Sequence, residues 1–281
     1  MSDSNNSLPV ALLGAGGINR LVAEALLGGR LPGVNVVAVA GSSAGSASAA
    51  ELAASLGAVA VAPEELVGTG ATWVLEAAGG EAVRKHVPDL WRAGINTIIM
   101  SIGALIDDSL QADWQQAVAS GVQVVLPSGG IAGLDGIRAL AVGDGLDRVT
   151  ITNIKHPDGL CGAPYLVKNA IELPADRAVT VFEGTAREAI VAFPANVNVS
   201  VALALAGLGP DRTRVVVRSD PEATATYHRI EAEGDAASLV VEVSSTPSPA
   251  NPRTSVMAAA SAVRALLDVA EESARHRRSS G

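Results

Sequence analysis

The stretch that most limits what this chain can become runs from Pro9 to Gly29, PVALLGAGGINRLVAEALLGG. Val10 to Leu13 form a short apolar run that predicts a buried strand. Gly14, Gly16 and Gly17 crowd the turn after it. Leu21, Val22, Ala25 and Leu26 then recur at helical spacing up to a Gly28–Gly29 stop. Strand, glycine turn and helix are the opening of a dinucleotide-binding unit. Gly14 permits the tight turn and Gly16 lets backbone approach a pyrophosphate. Gly17 and Ile18 join the expected cofactor-binding residues, and the N-terminus of the helix that follows receives the pyrophosphate's negative charge. The third position of the G-x-G-x-x-G pattern holds Asn19, so helix–strand packing must accept a larger side chain there.

The chain's 281 residues suffice for one large or two moderate domains with a sizeable core. At 48% hydrophobic and 17% charged it reads as globular, and at 2% aromatic its packing must fall to Ala, Val and Leu. The formal charge of -9 argues against a nucleic-acid partner. No apolar run reaches the roughly 18–20 residues of a membrane helix, and the opening SDSNNS lacks a signal-peptide pattern. Cys161 is the only cysteine, and neither H-E-x-x-H nor an acidic calcium-type loop occurs, so no metal is expected. These features fit a cytoplasmic enzyme with a small-molecule substrate. Met1–Ser7 reads as a disordered tail.

Val34 to Ala40 predicts a second buried strand, followed by Gly41, Ser42 and Ser43 where many NAD enzymes place a ribose-binding acid. Two serines can hydrogen-bond either a 2′-hydroxyl or a 2′-phosphate, so NAD and NADP both stay open. Further strands are expected at Ala58–Val61, Trp73–Ala77, Thr97–Ser101 and Val122–Leu126, with helices at Glu81–Trp91 and Leu110–Ser120. That alternation implies a parallel, doubly wound sheet with its ligand beyond the strands' carboxyl ends. Ala78, in the segment Ala77–Gly79, and Gly130, in Ser128–Gly130, should then face the cofactor. After Gly136 the texture changes. Arg148–Lys155 and Thr213–Arg218 alternate apolar and polar positions, and Tyr227–Glu233 and Ala237–Val243 flank a Gly234–Asp235 turn. A largely antiparallel sheet is expected, with a helix through Val197–Ala206 on one face. A long helix should follow over Thr254–Ala270, ending in a solvated basic tail.

From Ser101 onward the sequence resembles the L-aspartate dehydrogenase family. The likeness rests on MSIGALID (Met100–Asp107), PSGGIAGLDGI (Pro127–Ile137), FEGTAREAIVAFPANVNVSVALALAGLGPDRTRV (Phe182–Val215), the strand Tyr227-His228-Arg229-Ile230 and NPRTS (Asn251–Ser255). It implies an α/β fold: an N-terminal Rossmann doubly wound sheet with an inserted α+β substrate and dimerisation domain. In these terms residues 1–130, completed by a C-terminal helix at 251–273, bind the dinucleotide, and residues 131–250 bind substrate and form a homodimer. The implied activity is NAD(P)-dependent interconversion of L-aspartate with iminosuccinate, which hydrolyses to oxaloacetate and ammonia. The family's catalytic histidine falls on His228 and its nicotinamide-side asparagine on Asn198. Departures from the family pattern are Gly130, Thr226, Arg229, and a loop with His156 and Cys161 where a proline-rich version is usual.

Oxidising an amino acid to an imine needs a nicotinamide over the Cα–H bond, a base for the amine and charges for the carboxylates. Histidine suits the base, its ordinary pKa of about 6.5 lying near working pH. His276 lies in the tail and His86 on a helix of the first domain. By position His156 and His228 both stay open, and the resemblance selects His228. Lys155, Arg187, Arg253 and Thr254 are candidate donors to the substrate, with Glu183 and Glu188 as alternative partners for Arg187. Two other readings stand beside this one: a related NAD(P)-dependent dehydrogenase or imine reductase for another small amino or imino acid, and a dinucleotide-binding regulator without turnover.

Overall fold

A computed structural model describes residues 7–43, 45–194, 197–248 and 251–279, with backbone alone at 247–248 and 251–254. The expected N-terminal tail, apart from Ser7, lies outside the described residues. The chain divides into two compact units, one running to Pro127 and resuming at Ala259, the other Ser128–Ala258.

In the first unit, strands β1 (Leu8–Leu13), β2 (Val34–Ala40), β3 (Val59–Val61), β4 (Trp73–Glu76), β5 (Asn96–Ile99) and β6 (Val124–Val125) form one sheet. Its order is β3-β2-β1-β4-β5-β6, every neighbour is parallel, and the order reverses beside β1. Helices α1 (Gly17–Leu27), α2 (Ala47–Leu56), α3 (Gly80–Arg92) and α4 (Asp108–Ala119) connect the strands. β1 and β4 are buried along almost their whole length, as a sheet covered on both faces requires. The doubly wound Rossmann sheet is therefore present. α2 lies in SASAAELAASL, whose alanines give little apolar–polar contrast, and the sequence pattern did not single it out.

The second unit contains α5 (Leu134–Leu140), β7 (Leu146–Lys155), α6 (Pro157–Leu160), α7 (Pro164–Lys168), β8 (Val179–Thr185), α8 (Ala186–Ala192) and α9 (Asn198–Ala206). After these come β9 (Arg214–Ser219), β10 (Thr226–Gly234), β11 (Ser238–Ser245), β12 (Pro247–Ser248) and β13 (Asn251–Ser255). Its five-stranded sheet runs β11-β10-β7-β9-β8. The sheet is largely antiparallel as expected, with β7 and β9 as its one parallel pair. β8 and α8 were not foreseen. A register shift between Thr180 and Phe182 breaks the alternation that would have marked the strand.

Val149, Ile151, Val215, Val217, Ile230 and Ala232 form the buried face of this sheet. Three of the chain's four Tyr and Phe residues, Tyr165, Phe182 and Phe193, meet with ring centroids 5.3–5.7 Å apart. Elsewhere small aliphatic side chains fill the core. The last helix, α10, begins at Val256, two residues later than expected, because Asn251–Ser255 is a strand paired with β12. It runs to Ser279, so the expected basic tail is exposed helix as far as that residue.

Candidate active site

In the first unit the glycine turn sits between the ends of β1 and β4. Gly14 has φ +102°, and a Cβ there would lie 2.7 Å from the Ala77 carbonyl oxygen, so only glycine fits. Gly16 is extended and precedes α1, and a Cβ on it would meet nothing within 4 Å. No side chain caps α1 and no acid lies in its first turn, so the helix start is left to attract an anion. Asn19 is fully buried, its Nδ2 donating to the carbonyls of Leu13 (3.2 Å) and Gly14 (2.8 Å). The amide thus ties α1 to the strand end where the fingerprint's third glycine would stand. Ser42 and Ser43 are exposed immediately beyond β2.

Sequence reasoning missed Glu76, the last residue of β4. Its Oε1 accepts from the Ala78 amide (2.7 Å), the Gly79 amide (3.0 Å) and Ser101 Oγ (2.8 Å), and its Oε2 from the Ser101 amide (3.0 Å). Burial pushes the carboxyl above its ordinary range, while these donors pull the other way. One carboxyl therefore pins the segment Ala77–Gly79, expected to face a cofactor, to Ser101 at the end of β5. An acid ending an apolar strand beside a glycine-rich segment was the available signal.

In the second unit β10 places His228 directly opposite Asn153 of β7. The His228 Nδ1–H donates to Asn153 Oδ1 at 2.7 Å, and Asn153 Nδ2 donates to Ser200 Oγ of α9 at 3.2 Å. All three side chains are buried. Because Oδ1 can only accept, the ring proton sits on Nδ1 and Nε2 carries the lone pair. Nε2 looks toward Gly130, where a Cβ would lie 3.7 Å from it and 3.8 Å from Ser255 Oγ. Ser255 Oγ in turn bonds Ser245 Oγ. Lys155 follows two residues after Asn153 on the same face of the strand. Burial, and after it the Lys155 charge, lowers the His228 pKa to about 4, and burial lowers that of Lys155 to about 8.

The family profile described as aspartate dehydrogenase, C-terminal, matches residues 135–269, and the NAD binding domain of homoserine dehydrogenase matches residues 14–127. An L-aspartate dehydrogenase of Methanosarcina acetivorans is 39% identical over 93% of this chain and 97% of its own length. That of Methanosarcina mazei is 41% identical over 73% and 76%. The chain belongs to the L-aspartate dehydrogenase family. The crystal structure of the Thermotoga maritima aspartate dehydrogenase shares its fold, with a TM-score of 0.72 at 22% identity, covering 93% of this chain and 96% of that one. The first unit of this family member is an NAD-binding domain.

Of the other residues expected at the site, Asn198 opens α9 two residues before Ser200. Arg187 is not brought to the cluster. Its guanidinium grips Asp211 through Nε (2.6 Å) and Nη2 (2.9 Å). The neighbouring Thr185 pairs with Arg214, level with Thr150 and three residues down β7 from Asn153. Its expected alternative partners are engaged elsewhere, Glu183 by Arg214 and Glu188 by Thr185. Arg253 and Thr254 belong by backbone to β13, and their side chains lie outside the described residues. His156 is an exposed cap whose Nδ1 accepts from the Asp158 amide (3.3 Å). No helix of the described residues is long and apolar enough to cross a membrane.

Two outcomes are expected in this family member. Gly16→Val should fold, since the site is open, yet lose NADH and NADPH binding in a fluorescence titration; unchanged affinity would show that the loop does not receive the pyrophosphate. Lys155 loses its proton near pH 8 in the fold and near 10.5 when unfolded, so the wild type should gain stability relative to Lys155→Met in urea unfolding as pH rises from about 8 to 10.5.

Proposed function

We propose that this chain oxidises L-aspartate to iminosuccinate with NAD or NADP, and runs the reverse amination, with His228 as its general base. The observation that carries the reading is the buried His228 ring, held through Nδ1 with its Nε2 lone pair turned toward Gly130. Gly14, Gly16, Gly17, Ile18 and Ala78 are assigned to the dinucleotide's phosphates, Ser42 and Ser43 to its ribose, and Gly130 and Asn198 to the nicotinamide side. The glycine turn suits that load, with the open space at Gly16 beside an uncapped helix start. A dinucleotide held there would supply the acceptor for the Cα hydrogen and its electron pair.

Before that transfer the substrate's ammonium must lose a proton, and His228 Nε2 receives it. A ring with a pKa of about 4 is a weak base until aspartate arrives. The two carboxylates of the substrate then set negative charge beside Lys155 and His228, which raises the proton affinity of the imidazole. Lys155 is assigned to hold one of those carboxylates. In hydrolysis of the imine, Nε2 serves the attacking water in the same way. The protein is placed in the cytoplasm, where the dinucleotide is kept. It is read as a homodimer built on the sheet face that carries Thr150, Thr152, Val216 and the exposed Val240, between the ion pairs Arg229–Glu242 and Arg214–Glu183.

Oxidation of NADH or NADPH in the presence of oxaloacetate and ammonia is the direct assay. Oxidation with other oxo acids only would move the reading to a related dehydrogenase, and binding without oxidation to a regulator. His228→Ala should lower kcat roughly 10²–10⁴-fold with dinucleotide binding retained. His156→Ala should cost far less; the reverse pattern would move the base to the His156 loop. Sedimentation at micromolar concentration should show a dimer that Val240→Asp weakens, and a wild-type monomer would refute the assembly.

A further inference from the structure

We infer that Asn153 is the positioning residue for His228: its amide fixes the imidazole in the tautomer that leaves Nε2 bare, and being an amide and not a carboxylate it leaves the ring uncharged until substrate binds. The inference rests on the reading of His228 as the base. Three observations carry it. The Asn153 side chain is 1% exposed and lies directly opposite His228 in the β7–β10 register, so it has no freedom to leave the ring. Its Oδ1 stands 2.7 Å from Nδ1, and an oxygen without a hydrogen forces the ring proton onto that nitrogen. Its Nδ2 is held at 3.2 Å by Ser200 Oγ, a hydroxyl with 0% exposure in the first turn of α9.

Turned over, the amide would offer Nδ2 to the ring, Nδ1 would have to accept, and the proton would move to Nε2. His228 would then meet its substrate as a donor and could not take a proton. A carboxylate in place of the amide would hold the same tautomer but stabilise the imidazolium, charging the ring in the resting protein. Lys155 is the charged group that shares the His228 face on β7. Val243 lies opposite His228 on β11, Ser200 reaches it through Asn153, and Gly130 faces Nε2 with Ser255 beyond it, and none of these residues titrates.

The test uses the full chain with Asn153→Leu, Asn153→Asp and His228→Ala, read by steady-state kinetics and by two-bond ¹H–¹⁵N NMR of the histidine rings, His228→Ala giving the assignment. Asn153→Leu should lower kcat about 10–100-fold with NADH binding retained and KM for aspartate little changed, and the His228 resonances should lose the pattern of a proton held on Nδ1. Asn153→Asp should keep that pattern and move the acid limb of kcat/KM upward by about one pH unit or more. A wild-type kcat in Asn153→Leu, an unmoved acid limb in Asn153→Asp, or a wild-type ring with its proton on Nε2 would each overturn the inference. Should the leucine variant fail to fold, the aspartate variant and the wild-type spectrum decide. An active His228→Ala would remove the base reading itself, whereas an inactive one beside a wild-type-like Asn153→Leu would remove only the role of Asn153.

Discussion

Strand β10 lies antiparallel against β7 with His228 opposite Asn153, and the proposed chemistry of the second unit hangs on that register. Side chains alternate faces along a strand, so a slip of one residue would turn His228 outward and bring in Tyr227 or Arg229. The outward face is of a different kind. Arg229 bonds Glu231 and Glu242, Arg148 pairs with Glu233, and Arg214 with Glu183, all at half-exposed or exposed positions. Each exposed pair contributes little to stability, but an imidazole placed among them would be hydrated and charged below its ordinary pKa. The inward face gives the ring a buried amide, and the helix α9 locks that amide through Ser200.

Among the described residues of this unit, the buried polar side chains are Asn153, Ser200, Thr213, Ser219, His228 and Ser245, and none is a carboxylate. Lys155 and His228 therefore share a region whose burial disfavours the charged form of each, and both pKa values fall. In the proposed reaction a dianionic substrate would set negative charge near both groups and raise the proton affinity of each.

Much of this was legible in the sequence, and the rest was hidden for physical reasons. β1, β2 and α1 announced themselves because a buried parallel strand is a continuous apolar run and its turn needs glycine. The β10–β11 hairpin was marked by alternation around Gly234–Asp235, and its strands fall within a residue or two of the expected ones. α2 was hidden by an alanine-rich stretch and β8 by its bulge. Asn153 was unreadable for a different reason. A lone amide in RVTITNIK is indistinguishable from any polar position of a half-buried strand until pairing sets it against His228. Arg187 was read as a donor to a substrate carboxylate or as a structural partner of an acid, and in the structure it grips an acid that the sequence did not single out, Asp211.

The two units solve a common problem with different chemistry. Each must hold loop or ring geometry beside a place where backbone or lone pair faces a ligand, and each does so with one buried polar side chain whose neighbours satisfy it. In the second unit the side chain is the neutral amide of Asn153, bonded to the His228 ring. In the first it is a carboxyl, Glu76, and the surroundings differ accordingly. Three amides and a hydroxyl converge on it, which offsets much of the cost of burying an acid. An amide at that position could accept with one atom only, leaving the Ser101 amide or the Ala78–Gly79 pair facing a donor. A carboxyl accepts at both oxygens, so it joins the ends of β4 and β5 in a way no neutral side chain of its length can.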